Sequence, residues 1–203
     1  MRSWRRLRCV VVCIPALLVA LLAACSSVPV TSLIKLAQID LASTDPRQLR
    51  MAVKLPRTIR PQPQGVSLRV GVKLSNGDEE IQDFVLREVT DPKDVLVLHP
   101  ELDADTHVFA YRLDSAEVAR LITFRDDLKQ KQAETGGRGG ALSIAIRPQA
   151  CRTAELPQRP VMATTYLRTM ETGSYVPLTR DVDLRTIDPR QDIVGVIPMC
   201  AKT

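Results

Sequence analysis

Apolar and polar positions alternate with a period of two along much of this chain. Leu49, Met51, Val53 and Leu55 alternate with Arg50, Ala52 and Lys54, and Pro56 stops the run. That pattern predicts a half-buried β-strand. Ile59 to Gly65 carries Pro61 and Pro63 and is expected to be an extended loop. Val66, Leu68, Val70, Val72 and Leu74 then share one parity, with Ser67, Arg69, Gly71 and Lys73 on the other. Asn76-Gly77 follows, a hairpin signal because both residues tolerate positive φ. Ile81 to Val89 is the expected return strand. Its apolar parity changes between Ile81 and Phe84, which predicts a bulge.

Further strands are expected at Val95–Leu98, after the Asp91-Pro92 turn, and at Thr106–Leu113. Asp114 with Glu117 forms a capping-box pattern, and Ala119, Leu121, Ile122 and Leu128 have helical spacing. A helix over about 115–133 follows, ended by Gly136-Gly137. Leu142, Ile144 and Ile146 alternate into Cys151. Val161–Met170 reads as a strand, Tyr175–Leu184 as a charged edge strand, and Ile193 to Cys200 as an apolar ending. No internal repeat is visible. Many short strands separated by Pro and Gly turns predict a mainly β fold, an antiparallel β-sandwich with one inserted helix. An immunoglobulin-like topology is one option within that class.

The first residues follow another pattern. Arg2, Arg5, Arg6 and Arg8 precede an uncharged, apolar run from Cys9 to Ala24. A basic start, a short apolar stretch and small residues make a secretory signal. The run is shorter than the ~20 residues needed to cross a bilayer, and Pro15 interrupts it. It ends in Leu22-Ala23-Ala24-Cys25, which resembles a bacterial lipobox. The resemblance covers only the first 25 residues. It implies diacylglycerol on the Cys25 thiol, cleavage before Cys25 and an acyl chain on the new amine. Two or three acyl chains anchor stably where one does not. Ser26 and Ser27 follow without an adjacent Asp, which in the family pattern favours the periplasmic face of an outer membrane if the cell has one. An uncleaved signal anchor and an ordinary cut near Ala24 are the other readings. The expected organisation is a signal over 1–24, a lipidated tether and lead-in over 25–48 and one β-rich domain over 49–203.

Removing the signal changes the composition. Four of the 28 basic residues leave, and the remaining 24 face 23 acidic ones. The basic excess that would suit nucleic acid disappears, so no nucleic-acid partner is expected. Trp4 also leaves, and few aromatics remain for stacking. Cys9 and Cys13 go with the signal and Cys25 is the lipid site, which leaves Cys151 and Cys200. In an oxidising compartment that pair predicts a disulfide.

Candidate chemistry concentrates in one stretch. His99, Glu101, Asp103, Asp105 and His107 all sit on odd positions and would share a face if extended. Imidazole with carboxylate suits a divalent metal, while a plain polar loop has the same composition. Thr135 to Gly140 is glycine-rich but follows a helix, the wrong order for a phosphate cradle. No Gly-x-Ser-x-Gly elbow occurs. The sequence therefore predicts a non-enzymatic envelope lipoprotein that contacts the membrane through its anchor and an envelope protein through its domain. It needs no cofactor beyond the acyl chains. The alternatives are a metal- or small-ligand-binding lipoprotein using residues 99–107, and an envelope hydrolase.

Overall fold

The hairpin predicted around Gly77 is present. Gly77 has φ 94° and donates its N–H to the Leu74 carbonyl, and Leu74 N–H donates to Asp78. A residue with a Cβ is strained at that φ, which is why glycine stands there. It joins β2 (Ile59–Leu74) to β3 (Glu79–Val89). The structure, a computed structural model, describes residues 32, 39–40, 43–74, 77–134, 140–187, 195 and 197–201. The expected signal over 1–24, Cys25, most of the expected tether and lead-in, the 135–139 glycine stretch and 188–194 lie outside the described residues.

The remaining elements are β1 (Arg50–Pro56), β4 (Thr106–Leu113), β5 (Gly140–Arg152), β6 (Met162–Arg168) and β7 (Val176–Asp183). Among the described residues the strands are joined by helices α1 (Pro92–Val95) and α2 (Ser115–Glu134). The fold is mainly β, as the alternation predicts. All seven strands form one antiparallel, near-barrel sheet in the order β5-β2-β3-β4-β1-β6-β7. β3 belongs to both halves of it. Its Glu79–Val85 portion pairs with β2 and its Leu86–Val89 portion with β4.

The predicted inward parities are the buried ones. Met51, Val53 and Leu55 of β1, and Val66 through Leu74 of β2, join Phe84, Leu86, Tyr111, Leu113 and Leu167 in one core. Helix α2 adds Val118, Leu121, Phe124 and Leu128, an apolar stripe at helical spacing. Asp114 caps it, accepting the N–H groups of Ala116 and Glu117 at 3.0 and 2.9 Å. Glu117 does not close the box. Its carboxylate accepts Val85 N–H at 3.2 Å and pairs with Arg120, tying the first turn of the helix to β3.

Three sequence expectations are corrected. Val95–Leu98 is not a strand. Asp91 accepts the Lys93 N–H, Pro92 fills the first turn, and α1 runs into a 3-10 turn over Leu96–Glu101. Proline at that position is preorganised for a helix, and only Leu98 of the apolar four is buried. Ile59–Gly65 is not a loop but the first part of β2. Ile59, Arg60 and Pro61 pair with Arg152, Cys151 and Ala150, and the register breaks between Pro61 and Val66. Both prolines are accommodated at that irregularity. β3 has no bulge. Its register to β2 runs unbroken from Lys73–Glu79 to Ser67–Val85, and Ile81 simply faces outward, 51% exposed.

A second, smaller core lies on the outer face. Ala52, Val89, Ala110 and Tyr166 pack under Leu98 from the 3-10 turn. This explains why Ala52 interrupts the polar parity of β1. Cys151 and Cys200 form a disulfide with Cα atoms 4.9 Å apart. Beside it the C-terminal segment runs parallel to the end of β5. Arg152 N–H donates to Pro198 and Cys200 N–H donates to Arg152, both at 2.8 Å.

Candidate functional site

The five residues singled out between His99 and His107 occupy three different local structures. His99 and Glu101 lie in the 3-10 turn, Asp103 and Asp105 in the loop after it, and His107 in β4. A common face needs nine extended residues, and the turn breaks that geometry. Glu101 Oε2 accepts the Tyr166 hydroxyl at 2.7 Å, with the Arg180 guanidinium 3.7 Å away. Burial and Glu101 push the Tyr166 hydroxyl well above its usual range. Asp103 bonds Lys54 Nζ at 2.8 Å, the Thr106 hydroxyl at 2.7 Å and the Asp105 N–H at 3.1 Å. His107 Nε2 lies 3.2 Å from Arg57 Nη1. Burial lowers its pKa, and the charges of Arg57 and Arg60 lower it further. Among the described residues, no three His, Cys, Asp or Glu side chains stand together as a ligand set. Asp103 and Asp105 instead border a 430 Å³ cleft shared with Arg57, Arg159 and Met162.

Asp103 gives this segment a measurable acid response. The Lys54 ammonium beside it lowers its pKa from the usual 3.8 to about 2, with the Thr106 hydroxyl and Asp105 N–H adding to the effect. A depressed folded pKa contributes stability above the unfolded value, and that stability is lost as pH falls through the folded one. Urea midpoints measured between about pH 5 and pH 2 should therefore fall less steeply for Asp103→Asn than for the parent. Parallel curves would contradict this role.

A larger concavity lies elsewhere. It holds about 610 Å³ and lies between β5 and β7, the two ends of the sheet order. Val53, Ile144, Ile146, Ala163, Leu178 and Ile187 line it, and none of its described lining residues is charged. Thr165 and Thr179 supply hydroxyls there, hydrogen-bonded to each other at 2.8 Å. An apolar, open concavity of this volume has the size and character of a ligand or peptide cleft. Sequence reasoning missed it, because the cleft arises from which strands terminate the sheet. The alternation of Leu142, Ile144 and Ile146 gave the inward parity but not the identity of the neighbour across the gap.

The two edges bordering the cleft differ. β7 carries Arg180, Asp181 and Asp183, and Asp181 has φ 49° where the register to β6 shifts. Its N–H bonds the Thr164 hydroxyl at 3.0 Å instead of continuing the ladder. Charges and a bulge of this kind blunt a sheet edge against indiscriminate strand pairing. β5 carries its apolar row toward the cleft, with Pro148 on the same wall. No protein family, no curated protein and no solved structure matches this chain.

Proposed function

We propose that this chain is a non-enzymatic accessory protein of the cell envelope, held on a membrane by acyl chains on Cys25. The observation that carries the reading is the order of the first residues. Arginines precede an apolar run, and Leu22-Ala23-Ala24-Cys25 ends it. The Cys151–Cys200 disulfide supports an oxidising compartment, where such bonds form and persist. The folded strands begin at Arg50, but Ile39 already packs against the main core and Thr44 and Pro46 are buried, so the tether is the chain between Cys25 and Ile39. Fully extended, a tether of that length reaches about 50 Å. The domain engages another envelope component on its surface, and the apolar cleft between β5 and β7 is the feature best suited to an apolar contact.

Metabolic labelling with radioactive palmitate tests the anchor. The parent chain incorporates label and Cys25→Ala does not. Equal labelling of the two chains would remove the reading. Chemical crosslinking in intact envelopes, followed by purification of the chain, should give a reproducible envelope protein.

A further inference from the structure

Four arginines fall in one row across the sheet. Arg87 of β3 is opposite Arg112 of β4, Arg112 is opposite Arg50 of β1, and Arg50 is opposite Arg168 of β6. Adjacent strands are about 4.8 Å apart, so the row extends over roughly 14 Å. Two residues further along each strand stand Val89, Ala110, Ala52 and Tyr166, the outer core under Leu98. Side chains two apart share a face, so the arginines lie on that outer face, beside α1.

Like charges placed directly opposite in a sheet are destabilising. One carboxylate answers them. Asp94 of α1 bonds Arg50 Nε at 3.2 Å and Arg168 Nη2 at 2.8 Å, and Arg168 also lies over the Tyr175 ring. Arg87 and Arg112 are exposed, and no hydrogen bond or ion pair engages either within the described residues. Half of the row is therefore held in place and half is open to solvent. Arg50 is also the first residue of β1, one residue after the Pro46–Gln48 turn. The row sits at the end of β1 that follows the lead-in from the N-terminal segment.

We infer that this row is a docking face for the phosphate groups of anionic lipids in the membrane that carries the anchor, an inference that rests on the anchoring reading above. Guanidinium presents paired N–H donors that match phosphate oxygens in two-point contacts. A straight row of them fits a planar array of headgroups better than it fits one small ion. Attraction to an anionic surface acts within a Debye length, about 8–10 Å, so it needs the domain held close. The tether provides that proximity, which makes the second contact effectively intramolecular. Bound in this way, the face would orient the domain on its membrane.

The test uses the full chain extracted from membranes in a neutral detergent. Its arginine Nε–Hε resonances are followed during separate titrations with dihexanoylphosphatidylglycerol, dihexanoylphosphatidylcholine and inorganic phosphate. Arg87 and Arg112 should shift saturably with the anionic lipid, and at least about tenfold more weakly with the other two. Arg87→Gln combined with Arg112→Gln should weaken anionic-lipid binding roughly thirtyfold. Arg69→Gln should leave it unchanged, because Arg69 is already paired with Asp83 at 2.6 Å. The absence of a saturable shift, equal binding of inorganic phosphate, or an unaffected double variant each overturns the docking face. The mass of Cys25 in the same sample reports the anchor separately. An acylated chain that fails to titrate overturns the face alone, and an unacylated chain that titrates overturns the anchor alone.

Discussion

Phe84→Ala should lower the unfolding free energy by about 3–5 kcal/mol. The Phe84 ring is fully buried on the inner face of β3. It meets the Phe124 ring of α2 edge-on, with centroids 6.0 Å apart and planes at 62°, and the Arg120 guanidinium lies 5.4 Å from its centre. Truncation removes the apolar area, leaves a cavity and unseats the only long helix among the described residues from the sheet. Val85, the next residue, gives the control. It faces outward and is 44% exposed, so Val85→Ala should change stability by about 0.5 kcal/mol or less. Circular dichroism during urea unfolding measures both. Equal losses for the two variants would mean that the inner face of β3 is wrongly assigned.

Replacing Cys151 and Cys200 together with alanine should cost about 4 kcal/mol in the chain-entropy account of a loop this long. The bridge joins residues 49 apart in sequence. It holds the C-terminal segment against Arg152 through two backbone bonds and an Arg152 Nε contact to the Ile197 carbonyl at 3.1 Å. Ile197 is itself part of the main core, so the freed segment also withdraws apolar area from it. Denaturation with and without a reductant checks the prediction. The reduced parent and the double variant should unfold at the same, lower denaturant concentration. A midpoint unaffected by reductant would show that the bridge is not formed.

What could be read in advance follows a physical division. Inward parity was legible wherever one face is buried and the other wet, as in β1 and β2, because a period of two fixes the face directly. The disulfide was legible because setting aside Cys9, Cys13 and Cys25 of the expected signal and lipid site leaves one even pair of cysteines. Val95–Leu98 misled because a four-residue apolar run has no period of its own. The Asp91 cap and Pro92 decide its structure, and both lie outside the run. Pro61 and Pro63 suggested a loop because they cannot donate to a ladder, yet they fall where β2 and β5 lose register and no donor is needed. Ile81 implied a bulge only on the assumption that every apolar residue points inward, and single exposed apolar residues are ordinary.

The candidate sites divide in the same way. The odd-numbered spacing of His99 to His107 was real, but spacing converts to a shared face only in an extended chain, and a 3-10 turn occupies the first three of its nine residues. The arginine row was invisible for the opposite reason. Arg50, Arg87, Arg112 and Arg168 are far apart in sequence and become neighbours only through strand register. The apolar cleft likewise depends on β5 and β7 being the ends of the sheet. Sequence patterns speak to local geometry, and both surfaces are products of pairing order.

The measurement that bears most directly on the account is the mass of the N-terminal peptide of the chain extracted from membranes. The account predicts that it begins at Cys25 and carries diacylglycerol on sulfur with a further acyl chain on its amine. A peptide beginning at Met1, or an unmodified Cys25, would contradict it.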